Sequence, residues 1–302
     1  MQFKRVKKNI NGILLLDKPL GFSSNQALQR VKWLLQAAKA GHTGTLDPLA
    51  TGLLPLCFGE ATKFAHYLTD ADKTYHATLK LGITTTTGDA EGEVLQQAPV
   101  QVNAAQFSQA CVQFVGTINQ TPPMYSALKH EGKALYEYAR EGIEIERKVR
   151  TVHIHAIEVL SFAGDVAEIA VTCSKGTYIR TLAEDIGASL GCGAHLIGLR
   201  RTYTAGYDIA QAITLAQFES MSEGERLAAL AAPDTAVDDL PAIVLDADSA
   251  FYLMQGQAVW QSGKVPTGLL RLYDERQVFL GLGEQQSDGK IAPKRLMQQV
   301  NN

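Results

Sequence analysis

Residues 41–63 read GHTGTLDPLATGLLPLCFGEATK, and the neighbouring segments take their place from how this stretch folds. Its first half, residues 41–52, is a loop rich in glycine and threonine, and three glycines permit tight turns and close backbone approach to a ligand. Pro48 steers Asp47 away from the helical region, which holds its carboxylate on a loop between two buried elements. Catalytic groups are commonly displayed in such places. Asp-Pro is equally an ordinary turn initiator, and the pattern alone leaves both readings open. Residues 53–58 are an apolar run with the look of a buried strand, and residues 60–68 place Ala61, Phe64, Ala65 and Leu68 inward on a short helix. The loop has neither the lysine of a P-loop nor G-x-G-x-x-G spacing, so no nucleotide cradle is expected.

Outward from there, residues 12–17 form a short buried strand. Ser23 or Ser24 then caps a helix whose apolar positions Ala27, Leu28, Val31, Leu34, Leu35 and Ala38 recur at threes and fours. Residues 73–83 alternate strictly, with Tyr75, Ala77, Leu79, Leu81 and Ile83 on one face, as in a half-buried strand. Asn103 caps a helix through Phe114. Residues 119–150 lose periodicity and carry six basic and five acidic side chains behind Pro122-Pro123. They read as an exposed insertion, mobile until a ligand orders it. Strands return at 151–161, 165–173 and 194–200, around a helix at 177–186 with Ile179, Leu182, Ala183 and Ile186 as its stripe. The acidic, alanine-rich residues 217–241 read as a linker or bridging helix. Strands at 268–273, 277–283 and 289–293 then suggest a small barrel.

The chain has 302 residues, of which 46% are apolar and 20% charged, the composition of a soluble globular protein with one large domain or two unequal ones. No apolar run approaches the ~18–20 residues that span a bilayer. Lys4, Arg5, Lys7 and Lys8 precede an apolar stretch, but Asp17 stops it short of the roughly 7–15 residues of a signal-peptide core. A cytoplasmic address is expected. Cys57, Cys111, Cys173 and Cys192 are far apart and read as buried free thiols, without a zinc site or disulfide framework. The net charge of −3 does not point to a nucleic acid. Its distribution says more, since residues 1–33 hold seven basic side chains to one acidic, and residues 217–250 eight acidic to one basic. Such segregation suits a basic RNA-binding face or merely a solvated surface.

A second candidate is Cys173-Ser174-Lys175-Gly176-Thr177-Tyr178-Ile179-Arg180, at a strand-to-helix junction where backbone N–H groups favour anions. Arg180 lies off the apolar stripe, as either a partner for a carboxylate or phosphate or a solvated side chain. Tyr75 by position is a core residue, and His42 in its glycine-rich loop reads either way.

Residues 41–63 closely resemble the signature of the bacterial TruB family of tRNA pseudouridine-55 synthases. So do residues 12–24 (GILLLDKPLGFSS), 73–75, 174–181 (SKGTYIRT) and 191–201 (GCGAHLIGLRR), in the same order along the chain. Residues 123–142 (PMYSALKHEGKALYEYAREG) resemble the family's RNA-gripping thumb loop. The resemblance implies a mixed α/β (α+β) catalytic domain over 1–240 with a largely antiparallel central sheet, and a PUA-like RNA-binding β-barrel over 241–302. It implies that a uridine in the T-arm loop of tRNA, position 55, is flipped out and isomerised to pseudouridine. The N1–C1′ bond breaks, the base turns and C5 joins C1′, with no metal or other cofactor, by a monomer.

Asp47 matches the essential aspartate, acting as nucleophile or base. Arg180 matches its partner, expected to lower its pKa, and Tyr75 the aromatic that stacks on uracil and helps remove the C5 proton. His42 matches the residue filling the gap left by the flipped nucleotide, and Tyr178 and the Leu199 backbone line the uracil pocket. Lys18 supports the loop or contacts phosphate, while Lys129, Lys133 and Arg140 of the insertion meet phosphates. One departure is Thr86, where family members often carry Asp. A non-catalytic tRNA-binding module is the alternative, against which the Asp47–Tyr75–Arg180 set stands. An aspartate-dependent hydrolase would need a second acid, and neither motif block offers one.

Overall fold

The apolar run at 53–58 is the core of a longer strand, Ala50–Phe58, in the computed structural model, which describes residues 6–263 and 265–298. Lys4 and Arg5 lie outside the described residues. Ala50–Phe58 pairs with Gly12–Lys18 on one side and Ala194–Thr204 on the other. A strand in the middle of a covered sheet reads as continuous apolar sequence, as this one does. The main sheet runs Ile213–Thr214, Gly12–Lys18, Ala50–Phe58, Ala194–Thr204, Lys73–Leu81, Val166–Cys173, Arg150–Ala163, Gly116–Gln120. Two of these pairings are parallel, that of Gly12–Lys18 with Ile213–Thr214 and that of Ala50–Phe58 with Ala194–Thr204; the others are antiparallel. The expected mixed architecture with a largely antiparallel sheet is what forms.

Lys73–Leu81 buries Tyr75, Ala77, Leu79 and Leu81, as its alternation requires. It stops before Ile83 because Gly82 turns the chain with a φ of +82°, where a Cβ would lie 2.7 Å from the Ala98 carbonyl oxygen. Ile83–Thr85 then pairs with Val94–Gln97 instead. Helices cover the sheet's apolar face. Ser24–Leu35 and Ala104–Val112 each start with a reciprocal capping box, Ser23 with Gln26 and Asn103 with Gln106. Ile179–Ser189 buries Ile179, Leu182, Ala183 and Ile186 in the same core. All four cysteines are free and buried, and among the described residues no helix is long and apolar enough to cross a membrane.

Three expectations need correction. The acidic segment is not a linker: it forms the short helices Leu215–Ser220 and Glu223–Ala228, which lie against Ser24–Leu35. Arg30 pairs with Glu219 at 2.6 Å and Lys8 with Glu223, so the two charge-segregated stretches partly neutralise one another. Residues 119–150 are not patternless, because Lys129–His130 and Lys133–Ala134 form a small hairpin followed by the helix Leu135–Arg140. The C-terminal strands Ala242–Val244, Leu269–Tyr273, Phe279–Gln285 and Ile291–Leu296 form an open four-stranded sheet, with the helix Ala247–Met254 beside it. Among the described residues its two edges do not pair, so no closed barrel forms. Leu282, Phe279 and Met297 pack with Phe64 and Val237 of the preceding body, and Lys63 Nζ donates to the Leu296 carbonyl at 2.8 Å.

Candidate active site

Asp47 lies between Ala40–His42 and Ala50–Phe58, on a loop tied down from outside. Ser24, at the start of its helix, donates through Oγ to the Leu46 carbonyl at 3.0 Å and accepts from the Leu46 N–H at 2.7 Å. The Gly21 N–H donates to the Pro48 carbonyl at 2.9 Å. Lys18 stiffens that turn from within, its ammonium donating to the carbonyls of Pro19 (2.9 Å) and Phe22 (2.5 Å). Lys18 is wholly buried, and the contacts it makes are those of a loop support. Burial pulls its pKa down to about 8, opposed by the charge of Asp47.

Arg180 enters from the first turn of Ile179–Ser189 and is only 6% exposed. Its Nη2 stands 3.0 Å from Asp47 Oδ2 and donates to the Tyr125 carbonyl at 2.5 Å. Its Nη1 stands 3.2 Å from Asp89 Oδ2 and donates to the Thr87 carbonyl at 2.9 Å. One planar guanidinium thus gathers two carboxylates and two carbonyls, a task for which lysine lacks the geometry. Burial raises the pKa of Asp47, and Asp89 pushes the same way, while Arg180 and Lys18 pull it down. The net direction is upward, opposite to the fall expected from Arg180 alone, because burial outweighs the pull of the guanidinium and the nearby Asp89 carboxylate adds to the rise. Since 41% of the Asp47 side chain is open to the cleft, water tempers the rise.

Tyr75 lies beside Arg201, which is completely buried. Arg201 Nε donates to the Leu53 carbonyl at 2.7 Å and Nη2 to the Gly44 carbonyl at 3.2 Å. Gly44 has a φ of +77°, which favours glycine, and a Cβ there would crowd Arg201 Nη1 at 3.1 Å. Burial raises the Tyr75 phenol further above its ordinary range, so it rests as a neutral hydroxyl. Asp47, Tyr75, Tyr178, Arg180, Leu199 and Arg201 line one cleft of about 540 Å³, which Ser126, Ala127 and Leu128 of the insertion also border. Leu199 reaches it because its strand pairs Leu199 with Ala50 on one side and Ala77 on the other.

Five expected residues are therefore brought together, and others are not. His42 lies outside the cleft lining, opposite Leu56 in its short strand, with Nδ1 buried and unpartnered and its pKa lowered by burial. Lys129 and Arg140 are exposed on the insertion. Lys133 donates to both Glu141 carboxylate oxygens at 2.6 Å and stands 4.6 Å from the Tyr138 ring centre. A phosphate contact from Lys133 would exchange this exposed pair, which such pairs permit at little cost. Thr86, where the family pattern differs, closes its own turn by accepting from the Glu93 N–H at 3.1 Å.

Asp89 and Arg201 were assigned no role in the sequence reading. Asp89 sits in a Gly-Asp turn after four threonines, and Arg201 is the second of two adjacent arginines that strand alternation must send to opposite faces. Asp89 also accepts from the Thr87 hydroxyl (2.6 Å) and the Glu91 N–H (3.1 Å) and is 3% exposed. It is too committed to serve as the second acid of a hydrolase. Among the described residues no His, Cys, Asp or Glu cluster is arranged to hold a metal. The arrangement offers one half-open carboxylate, held by a guanidinium in a cleft that a tyrosine also lines.

Residues 32–179 match the family model described as TruB family pseudouridylate synthase (N terminal domain). Residues 180–251 match that of the tRNA pseudouridylate synthase B C-terminal domain, and residues 241–297 that of Pseudouridine synthase II TruB, C-terminal. A Methylobacillus flagellatus protein named tRNA pseudouridine synthase B is 64% identical over 300 residues, 99% of each chain. One of the same name from Pseudomonas aeruginosa is 53% identical, over 98% of this chain and 99% of its own. Among solved structures, a chain of a Cbf5-Nop10-Gar1 complex superposes with a TM-score of 0.70 at 27% identity, over 96% of this chain and 84% of that one. An H/ACA RNP bound to a substrate RNA containing 2′-deoxyuridine gives a TM-score of 0.71 at 23% identity, over 98% and 93%, a likeness of fold.

Proposed function

The chain belongs to the TruB family of pseudouridylate synthases, and from that premise we propose that it converts uridine 55, in the T-arm loop of tRNA, to pseudouridine. The coarser activity, isomerisation of uridine to pseudouridine in tRNA, is the one its full-length relatives are named for. In the proposed reaction Asp47 attacks the sugar, or removes a proton from it, as the N1–C1′ bond breaks. The freed uracil turns within the cleft and C5 bonds to C1′; N1 gains the proton that C5 loses, so no outside reactant is consumed. Arg180 draws the Asp47 carboxylate toward its ionised form, against the rise that burial imposes, and keeps it in register with C1′. Tyr75 stacks on the base, and its neutral hydroxyl hands protons on rather than waiting as a phenolate.

Tyr178 and the Leu199 backbone flank the uracil, and His42 meets the RNA beside the extruded nucleotide. The enzyme is read as a cytoplasmic monomer, with residues 1–240 as its catalytic body and 241–302 as an RNA-binding module. Lys129 and Arg140 hold phosphates. The observation that carries this reading is the Asp47–Arg180 contact of 3.0 Å in a cleft shared with Tyr75. A non-catalytic binding module would have no use for that pair.

The test is to incubate the protein with unmodified tRNA and map pseudouridine chemically along the whole transcript. A single new pseudouridine at position 55, formed equally on an isolated T-arm stem-loop and absent with Asp47→Asn, is expected. Modification elsewhere, or none with intact binding, overturns the assignment.

A further inference from the structure

The insertion and the catalytic arginine meet at a place where neither needed to touch the other. Gln120 ends the strand Gly116–Gln120 and is the last residue before Thr121-Pro122-Pro123. Its side chain is 2% exposed and turned toward Tyr178. Gln120 Oε1 accepts from the Tyr178 N–H at 3.0 Å, and its Nε2 donates to the Tyr178 carbonyl at 3.2 Å. An amide laid across one residue's N–H and C=O in this way copies a rung of a β-ladder with a side chain. Tyr178 immediately precedes the helix Ile179–Ser189, where an N–H lacks an intrahelical acceptor. Its carbonyl already accepts the first helical bond, from the Leu182 N–H at 3.0 Å.

A further contact comes from the same root. The Tyr125 carbonyl accepts from Arg180 Nη2, the nitrogen that also faces Asp47, while Ser126, the next residue, borders the same cleft as Tyr178. The segment that enters the insertion therefore sets both the backbone from which Arg180 springs and one acceptor of its guanidinium.

We propose that Gln120 is a positioning residue for the reaction, fixing the first turn of the Arg180 helix so that the guanidinium meets Asp47, and that the insertion's root thereby aligns the catalytic pair. The proposal rests on the catalytic reading of Asp47 and Arg180 given above. Arg180 is two residues from the clamped Tyr178, so a small tilt of that turn is carried directly to its contact with Asp47. Misplacement of about 1 Å at a reacting pair is enough to cost on the order of a hundredfold in rate.

Gln120→Leu keeps the bulk and removes both bonds. The expected result is a single-turnover rate on bound tRNA lower by about 10- to 100-fold, with tRNA affinity within roughly threefold because phosphate contacts dominate binding. Gln120→Glu supplies a second readout. As a carboxylate it still accepts from the Tyr178 N–H but cannot donate to the carbonyl, whereas its protonated form can do both. Its rate relative to wild type should therefore rise as pH falls from 8 to 5.5. Arg150, opposite Gln120 in the strand ladder, and Arg180 and Asp47, which act on Tyr178, are the charged groups that set where this happens.

A wild-type single-turnover rate in Gln120→Leu, or a pH-independent ratio in Gln120→Glu, overturns the proposal. A purely structural role would lower the unfolding midpoint while leaving the rate of bound, folded enzyme unchanged. Asp47→Asn measured alongside separates the two levels: full activity there sinks the catalytic reading itself, whereas its loss beside an unimpaired Gln120→Leu sinks this inference alone.

Discussion

Arg180 and Lys129 are both cations that the proposed substrate would meet, and the fold treats them in opposite ways. Arg180 is buried and every contact it makes is to a group fixed by another segment: Asp47, Asp89, Thr87 and Tyr125. Lys129 is exposed on a two-residue strand of the insertion and has no carboxylate partner among the described residues. A buried charge is costly unless it is paired and hydrogen-bonded, and once paired it is held in one geometry. An exposed charge costs little and stays free to follow a polyanion, at the price of being screened by salt. Chemistry is thus assigned to the first kind of site and grip to the second. Lys133 falls between them, since its pairing with Glu141 keeps it from being wholly free.

Asp47→Asn is the largest expected break. Turnover should fall by more than about a hundredfold for loss of the nucleophile or base, with tRNA affinity within roughly tenfold, because an amide is nearly isosteric and phosphates dominate binding. Single-turnover kinetics beside filter binding would check it, and equal losses in both would erase the division between chemistry and grip.

Tyr75→Phe comes next. The ring and its stacking remain while the hydroxyl is lost, so the rate should drop by about 10²–10⁴, the usual range for an acid–base group, with unchanged affinity. Full activity in rapid-quench measurements would reduce Tyr75 to a stacking surface.

The converse experiment removes Lys129 and Arg140 together. The chemical step on bound tRNA should be untouched, while the slope of log affinity against log salt flattens by up to about two charges' worth. A salt titration decides this; an unchanged slope would place the grip elsewhere.

The smallest effect sharpens the cost of burying a charge without a dedicated partner. Glu184, one turn beyond Arg180 on the same helix, has its pKa raised from 4.5 to about 6, chiefly by burial. The folded state therefore holds its proton more tightly than the unfolded chain, and stability falls as pH rises from 4.5 through 6. Glu184→Gln should be about 1 kcal/mol more stable than wild type at pH 8, allowing for partial solvation, with the gain gone below pH 4.5. Urea midpoints at the two pH values give the answer, and a gain that persists in acid would mean that burial of this carboxyl is not the cause.

Local patterns carried a large part of the structure. The capping residues Ser23 and Asn103, the alternating face of Lys73–Leu81 and the stripe of Ile179–Ser189 each depend on neighbours a few positions apart, and all of them form, the strand ending two residues short of Ile83. Asp47, Tyr75 and Arg180 were legible through their motif blocks, and the cleft does bring them together. The misreadings have long-range causes. The acidic segment packs rather than links because Glu219 and Glu223 find Arg30 and Lys8 some 190 and 215 positions away. The C-terminal strands stay open, with Leu282 drawn into a core built largely from the preceding body.

The amino-acid order by itself determined the principal helices and strands of the core, most of the positions in them that face inward, and that a carboxylate stands on a glycine-rich loop. Period, capping and turn chemistry are properties of short stretches, and they survive without knowing the partner. Only the tertiary structure decided how Arg180 divides its charge between Asp47 and Asp89, that Arg201 lies buried against Tyr75, that Lys18 is sealed under its turn, and that Gln120 clamps Tyr178. Each of these is a pairing between groups far apart in sequence. Their energetics depend on burial and on the competition among several partners for one charge, quantities that exist only once the chain has folded.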